Sequence, residues 1–431
     1  MRYLPHLDIS YCTNVHAGEG LEALLRHINY DIPKVKRLIA PQAPFGSGLR
    51  MGYETVKELS QDPRALIQLK QALEAQGIYV FSVNGFPYGD FAAPQVKAKV
   101  YEPDWSTKAR VDYTLNLARV MTALPGPQLR SISTVAGGFV PSLDGLKTKD
   151  QAFTQHFAHL AQGLSELEDE TGVSVRIALE PEPWTRLERV DQVLPFFEDV
   201  VWPASSLAQK YFGLCYDTCH QALAFEDPKD SWHNLLRNNI PIYKVQVSNA
   251  LRLPNPQDTQ ARQRLLSFAE KRYLHQVSAL TTDGSILRAL DLPEVQAASE
   301  AWLNAVEWRC HFHVPIWWRG DESLSTVHQT AQIKSKRSFI AKPAEQIADN
   351  SVEQQVLGLG TTYQHWEQIA HCLKDPCAQP HTQNGDRLHV EVETYSWHVL
   401  PESLKSEQGL HYEIAQELEA LQKVLSSDES D

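Results

Sequence analysis

The chain has 431 residues, room for one large α/β domain or two modest ones, and a formal charge of -13. That charge leaves no basic excess to displace counterions from a phosphate backbone, so nucleic acid is not an expected partner. Hydrophobic residues make up 42%, with 10 Trp, 14 Phe and 15 Tyr, which excludes disorder and supplies an ample core.

No 18-residue apolar run occurs, so no transmembrane helix is expected, and the N-terminus shows no secretory h-region. Six Cys are too sparse for a disulfide scaffold in a chain this long. These features predict a cytoplasmic protein with buried, reduced thiols.

In chain order, strand-like runs fall at 8–15 (DISYCTNV), 78–83, 130–136, 174–180, 212–217, 243–248, 308–314 (WRCHFHV) and 388–394 (LHVEVET). Helix-like runs lie between them at 22–27, 64–76, 111–122, 151–169, 187–199, 230–238 and 295–307. The run at 64–76 shows the reading: Leu66, Leu69 and Leu73 recur at helical spacing, Asp62 can cap, Pro63 suits the first turn and Gly77 stops it. Eight strands alternating with helices predict an α/β fold of the (β/α)8 TIM-barrel class.

Segments 37–40 and 273–280 are alternative strands. Gly46-Ser47-Gly48 follows proline-rich sequence and reads as a tight turn, with Phe45 beside it as an apolar pocket wall. Residues 1–405 form the predicted barrel domain, with an insertion over one rim at about 318–380, and 406–431 a C-terminal helix and acidic tail. The basic stretch Lys334 to Arg337 reads as a solvated helix face.

Barrel chemistry concentrates where strands end and βα loops begin. That rule selects Asn14 and His16, Asn84, Glu180 and Glu182, Asp217 and His220, Gln246 or Asn249, His311 or His313, and Glu391 or Glu393. Carboxylates sharing one poorly solvated mouth repel and take up protons unless a divalent cation holds them ionised. Glu, Asp and His without thiolates suit Mn²⁺, Mg²⁺, Co²⁺ or Zn²⁺.

Glu180, Asp217, His220, Gln246, His313 and Glu393 are therefore the expected metal-site residues, with Glu180 and Glu393 as the catalytic carboxylates. Strand parity puts Glu391 and Glu393 on one face, with Glu393 nearer the strand end and Glu391 the better internal partner for a Lys, Arg or His. His16, Phe45, Asn84, Trp184 and Trp397 are the expected substrate contacts. The competing structural roles are an ion pair of Glu180 with Arg176 or Arg186, Asp217 as a helix N-cap, His220 as a loop-shaping residue and His16 as a turn residue.

The signatures YCTNVHAGEG, APFGSGLRMG, ALEPEP, CYDTCH, HFHVP and VEVETYSWHVLP together resemble the xylose isomerase-like TIM-barrel superfamily of sugar isomerases, ketose epimerases and metal-dependent apurinic endonucleases. More narrowly they resemble a bacterial metabolite-traffic family of the ebo cluster, over roughly residues 5 to 405. The resemblance implies a metal Glu at Glu180, an Asp-x-x-His pair at Asp217 and His220, and a last metal Glu at Glu393. It sets the remaining metal His either at Gln246, where it is absent, or at His313, where it is kept. It also implies a small-molecule metabolite as ligand and a membrane transporter as a transient partner. Both a metal-dependent isomerase or epimerase and a non-catalytic carrier fit these expectations.

Overall fold

In the computed structural model the described residues are 1, 3–141, 147–321, 323–326, 354–375 and 387–427. Their strands, in chain order, are β1 (Leu7–Tyr11), β2 (Phe45–Arg50), β3 (Ile78–Asn84), β4 (Leu129–Val135), β5 (Ser174–Glu180), β6 (Phe212–Asp217) and β7 (Ile242–Val247). There follow β8 (Asn249–Leu253), β9 (Val277–Leu280), β10 (Ile286–Ala289), β11 (Glu307–Val314), β12 (Ser323–Thr326), β13 (Gln354–Leu357), β14 (Gly360–Thr361) and β15 (Leu388–Val392).

Eight of them form one parallel sheet in the order β1-β15-β7-β6-β5-β4-β3-β2. The remaining seam is narrowed by a parallel bridge between Cys12 and Gly48, with Ser10 Oγ donating to Gly46 O at 2.7 Å and Arg50 N to Thr13 Oγ1 at 2.8 Å. The result is the nearly closed (β/α)8 cylinder that the alternating pattern predicts.

Two strand assignments from sequence change places. FGSGLR at 45–50 is barrel strand β2, not a turn, because its glycines serve close approach rather than reversal. A Cβ on Gly46 would overlap the Met1 backbone and the Phe81 ring, and one on Gly48 would overlap the Glu391 carboxylate. The run at 308–314 lies outside the barrel in the antiparallel sheet β10-β9-β11-β8-β14. Its alternation imitates a barrel strand because Trp308, Cys310, Phe312 and Val314 enter a second apolar cluster with Leu251, Leu253 and Val277, while His311 and His313 meet the barrel's histidines and carboxylates.

This second sheet begins at Asn249, two residues after β7 ends, so inserted structure starts well before residue 318. Much of the 318–380 region lies outside the described residues, as do Lys334 to Arg337 and the acidic tip. Residues 37–40 do not form a strand, since 37–39 end the helix Ile32–Ile39, and within 273–280 only Val277–Leu280 is one, in the second sheet. The 295–307 run yields only the 3-10 turn Leu292–Val295 and the short helix Glu300–Leu303.

The long helices follow local rules. Helix Pro63–Gln76 is capped by Asp62, whose side chain accepts from Arg64 N at 2.8 Å, and stops at Gly77 in the left-handed region (φ 60°). Helix Asp150–Thr171 buries Phe153, Phe157, Leu160, Ala161, Leu164 and Leu167 at three- and four-residue spacing before β5 begins. The last helix, Leu410–Ser426, packs back on the barrel through Ile414, Leu418 and Leu421. Cys12, Cys215, Cys219, Cys310 and Cys372 are free and buried. Among the described residues no helix is long and apolar enough to cross a membrane.

The barrel interior is polar where such interiors usually carry Val, Ile and Leu. At one level His389 Nδ1 meets Ser131 Oγ at 2.7 Å; at another Lys244 Nζ lies 2.9 Å from Glu391 Oε2 and donates to Ser133 Oγ at 3.1 Å. Because Glu391 is pinned between Lys244 and the bare Cα of Gly48, Gly48→Ala must displace one of them. The expected cost is about 1–3 kcal/mol, read as a lower urea midpoint with an unchanged denaturant slope.

Candidate functional site

Above that ladder the strand ends converge. Glu180 ends β5, Asp217 ends β6 and Glu393 directly follows β15. One carboxylate oxygen from each lies within 4.8 Å of the others. All three are buried, at 3%, 0% and 3% exposure. Asp217 Oδ1 accepts from the backbone N–H groups of Cys219 and His220 at 2.8 and 3.0 Å, so it caps helix Thr218–Ala222 and offers its other oxygen upward. Both readings of Asp217, cap and site residue, hold at once.

Glu393 is fixed by amides. Asn14 and Asn84 donate to its Oε1 at 2.6 and 3.1 Å, and Gln246 Nε2 donates to Oε2. Gln246 is set by Cys215, whose thiol donates to its Oε1 at 2.8 Å. Gln246 therefore orients the Glu393 carboxylate.

The second sheet supplies imidazoles. His311 and His313 come down on β11, with His311 Nε2 3.0 Å from His313 Nε2, which is 3.3 Å from His220 Nε2. His313 Nδ1 is held by Ser248 Oγ at 2.7 Å and Glu393 O at 3.0 Å, His311 Nδ1 by Gln276 Oε1 at 2.6 Å. His220 Nδ1 faces Glu180 Oε1 at 3.7 Å and Asp217 Oδ1 at 4.0 Å without a hydrogen bond to either. Glu180 lies beside His220 here and pairs with neither Arg176 nor Arg186.

Glu182, two residues beyond Glu180, accepts from Tyr101 OH at 2.8 Å and lies 3.7 Å from His311 Nδ1. Tyr101 OH in turn accepts from Gln276 Nε2 at 2.9 Å.

Burial dominates the electrostatics. It raises Glu180 and Glu393 well above the usual carboxylate range, with mutual repulsion and the charge of Asp217 adding to it. Burial lifts Asp217 to about 7 against the opposing His220 N–H bond, and Glu182 to about 8 against the Tyr101 bond. Burial pushes His220 down to about 3, and keeps His311 and His313 well below the ordinary imidazole value, with neighbouring imidazoles adding to it. From neutral imidazoles and protonated carboxylates, binding of a divalent cation would release protons.

A small pocket of about 50 Å³, open to solvent on one side, lies above this floor. Asn14, Asn84, Glu180, Glu182, His220, His311 and Glu393 form its polar lining, while Phe86, Phe91, Tyr101, Tyr273 and Tyr395 supply aromatic walls.

Of the expected substrate contacts, only Asn84 lines this cavity. Phe45 opens β2 at the far end of the barrel and is wholly buried core. His16 bonds Tyr11 OH at 3.0 Å and stacks on His27. Trp184 lies under the Arg288 guanidinium, 4.3 Å from it, and Trp397 donates to Glu413 Oε2 at 2.6 Å. Sequence reasoning passed over Tyr101, Tyr273, Tyr395 and Gln276, which sit in 3-10 turns or in the loop before β9 with no periodic signal. Glu182 was visible through its parity with Glu180.

A closed parallel barrel that gathers carboxylates and imidazoles at the C-terminal ends of its strands defines a TIM-barrel protein with a candidate metal centre at its mouth. Residues 48–275, just over half of the chain, match the family of xylose isomerase-like TIM barrels, and the chain belongs to that family.

Solved structures with similar folds include a family 2 AP endonuclease from Brucella melitensis (16% identity, covering 56% of this chain and 79% of that one, TM-score 0.36). A D-tagatose 3-epimerase-like protein gives 14% identity over 56% and 76%, TM-score 0.36. A xylose isomerase domain containing protein from Salmonella typhimurium gives 14% over 64% and 80%, TM-score 0.33. No curated protein matches the sequence significantly.

Proposed function

We propose that this protein is a metal-dependent isomerase, epimerase or related lyase acting on a small hydroxylated metabolite. Glu180, Asp217, His220 and Glu393 would hold the divalent cation (Mn²⁺, Mg²⁺, Co²⁺ or Zn²⁺), with His313 beside them. The carrying observation is that the buried Glu180, Asp217 and Glu393 each bring a carboxylate oxygen within 4.8 Å of the others, with Glu180 Oε2 left without a hydrogen-bond partner. Buried polar atoms are ordinarily satisfied, and the nearby Lys244 is already committed to Glu391. The donor set fits a divalent cation.

Such a cation supplies Lewis acidity to vicinal substrate oxygens. Glu180 is also the residue placed to take a proton from the carbon beside a carbonyl. Glu182, protonated near neutrality, donates a hydrogen bond to a substrate oxygen while Tyr101 holds its other side. The aromatic walls exclude water and cover the apolar face of the ligand. On the signature resemblance, this chemistry would serve a bacterial EboE-type metabolite traffic pathway in the cytoplasm, with a membrane transport partner and no nucleic acid.

The test is solvent exchange. Protein loaded with each of the four cations is incubated in D2O with a panel of hydroxy-aldehydes and hydroxy-ketones, cyclic and open-chain, and followed by NMR. Metal-dependent deuterium uptake at the carbon beside the carbonyl, abolished in E180Q, is the expected result.

A second reading, a carrier that binds its metabolite without turning it over, is favoured by the Gln246 amide occupying Glu393 where a metal imidazole would stand. Stoichiometric binding with no exchange under any cation would replace the first reading by this one.

A further inference from the structure

We infer that the protein binds a second cation, of the imidazole-seeking kind typified by Zn²⁺, in the cluster of His16, His27, Asp31 and His411, which lies outside the cavity lining. Ligand atoms of His16, His27 and Asp31 fall within 4.8 Å of one another, and all three residues are buried. Atoms bound at about 2.1 Å around a tetrahedral Zn²⁺ are separated by about 3.4 Å, so a small closure brings them to one ion.

The four come from three separate pieces of chain. His16 follows the 3-10 turn Thr13–Val15, His27 and Asp31 open and close the π-helical turn His27–Asp31, and His411 lies in the first turn of the last helix. The Asp31 carboxylate is held from both sides, by His27 Nδ1 at 2.8 Å on Oδ2 and by His411 Nε2 at 2.9 Å on Oδ1. His16 stacks between the other two rings, 5.1 Å from His27 and 6.0 Å from His411.

A mutually satisfied hydrogen-bond network accounts for Asp31 but not for His27. Its Nε2 is wholly buried and has no partner. A neutral imidazole that donates Nδ1–H to a carboxylate presents Nε2 as a bare lone pair, the arrangement by which second-shell carboxylates orient metal-ligating histidines. His16 meets Tyr11 OH through Nε2 at 3.0 Å, which leaves Nδ1 as its second ring nitrogen. Three imidazoles to one carboxylate favour Zn²⁺, Co²⁺ or Ni²⁺ over Mg²⁺, in contrast to the carboxylate-rich cavity floor. The ion would tie the loop after β1 to the last helix, whose Glu417 accepts from Thr394 Oγ1 at 2.7 Å beside Glu393.

The experiment uses the full chain carrying E180Q, H220Q and E393Q, which removes the carboxylate-rich part of the cavity floor and leaves this cluster intact, while His27 and His411 replacements tell it from the untouched Cys219, His311 and His313. After loading and dialysis, elemental analysis is expected to find one Zn²⁺ per chain, Zn²⁺ to raise the Tm, and Co²⁺ to give the absorption of imidazole-ligated tetrahedral cobalt. Adding His411→Gln, a change at a half-buried helix position that the fold tolerates, is expected to weaken Zn²⁺ binding by about 10- to 100-fold and to shrink the Tm rise. His27→Gln acts in the same direction. Absence of bound Zn²⁺ and of the cobalt signature in the triple variant, or retention of both at unchanged affinity with His27 and His411 replaced, overturns the inference.

Discussion

Glu393→Gln is expected to weaken divalent-metal binding at the cavity floor by roughly 100-fold or more, and at the same time to make the metal-free protein more stable above neutral pH. The first effect follows from removing one of three converging carboxylates whose mutual repulsion a cation relieves. The second follows from linkage. Glu180 and Glu393 are raised well above 4.5, Glu182 to about 8 and Asp217 from 3.8 to about 7, so the folded chain holds protons that the unfolded chain has released. Their contribution is complete below the unfolded values and is lost as pH rises through the folded ones, by about 1.4 kcal/mol per pH unit for each proton retained.

Between pH 5 and 6.5 the depressed imidazoles His220, His311 and His313 act in the opposite sense, because the unfolded chain protonates them and the folded chain does not. The informative window is therefore pH 7 to 8.5. Urea midpoints of the EDTA-treated protein should fall across it, the fall should be shallower in E393Q, and saturating Mn²⁺ or Zn²⁺ should flatten it in the native sequence only. A metal-free protein whose stability is level or rising over that window would remove the case for uncompensated carboxylates.

The parts of this arrangement that sequence exposed share one property: a charged group interrupting an apolar strand at its C-terminal end. ALEPEP, CYDTCH and HVEVET each announce a strand and its loop. Parity puts Glu391 and Glu393 on one face and nearness to the strand end tells them apart, and the structure gives Glu391 to Lys244 while Glu393 joins Asp217 and Glu180.

The concealed parts fail for equally physical reasons. β2 has Gly where a strand would show inward side chains, because the Phe81 ring and the Glu391 carboxylate already fill that space. β11 alternates like its parallel counterparts, since period 2 belongs to any half-buried strand and carries no information about which sheet receives it. Tyr101 and Tyr273 reach the cavity from irregular segments, where neither periodicity nor strand ends point inward. His16 was visible as a strand-end imidazole, yet its partners His27 and His411 lie on helices whose packing no local rule supplies.

Lys244→Met is expected to destabilise the fold by about 3–5 kcal/mol, the magnitude found when one partner of a buried ion pair is removed and the other is left without compensation. Lys244 and Glu391 are both 0% exposed, and Glu391 cannot swing to solvent because Gly48 closes against it. The paired change Lys244→Met with Glu391→Leu removes both charges and should recover most of the loss, so the coupling read from the double-mutant cycle is large even if the pair's net worth is small.

The same substitution reaches the cavity floor. The Lys244 charge favours the ionised forms of Glu180, Asp217 and Glu393, opposing burial at each of them. Lys244→Met should therefore raise all three further and lower metal affinity at neutral pH, an effect that shrinks as pH is raised. An unfolding free energy within about 1 kcal/mol of the native sequence, together with unchanged metal affinity at pH 7, would show that the polar column inside the barrel neither supports the sheet nor tunes the carboxylates above it.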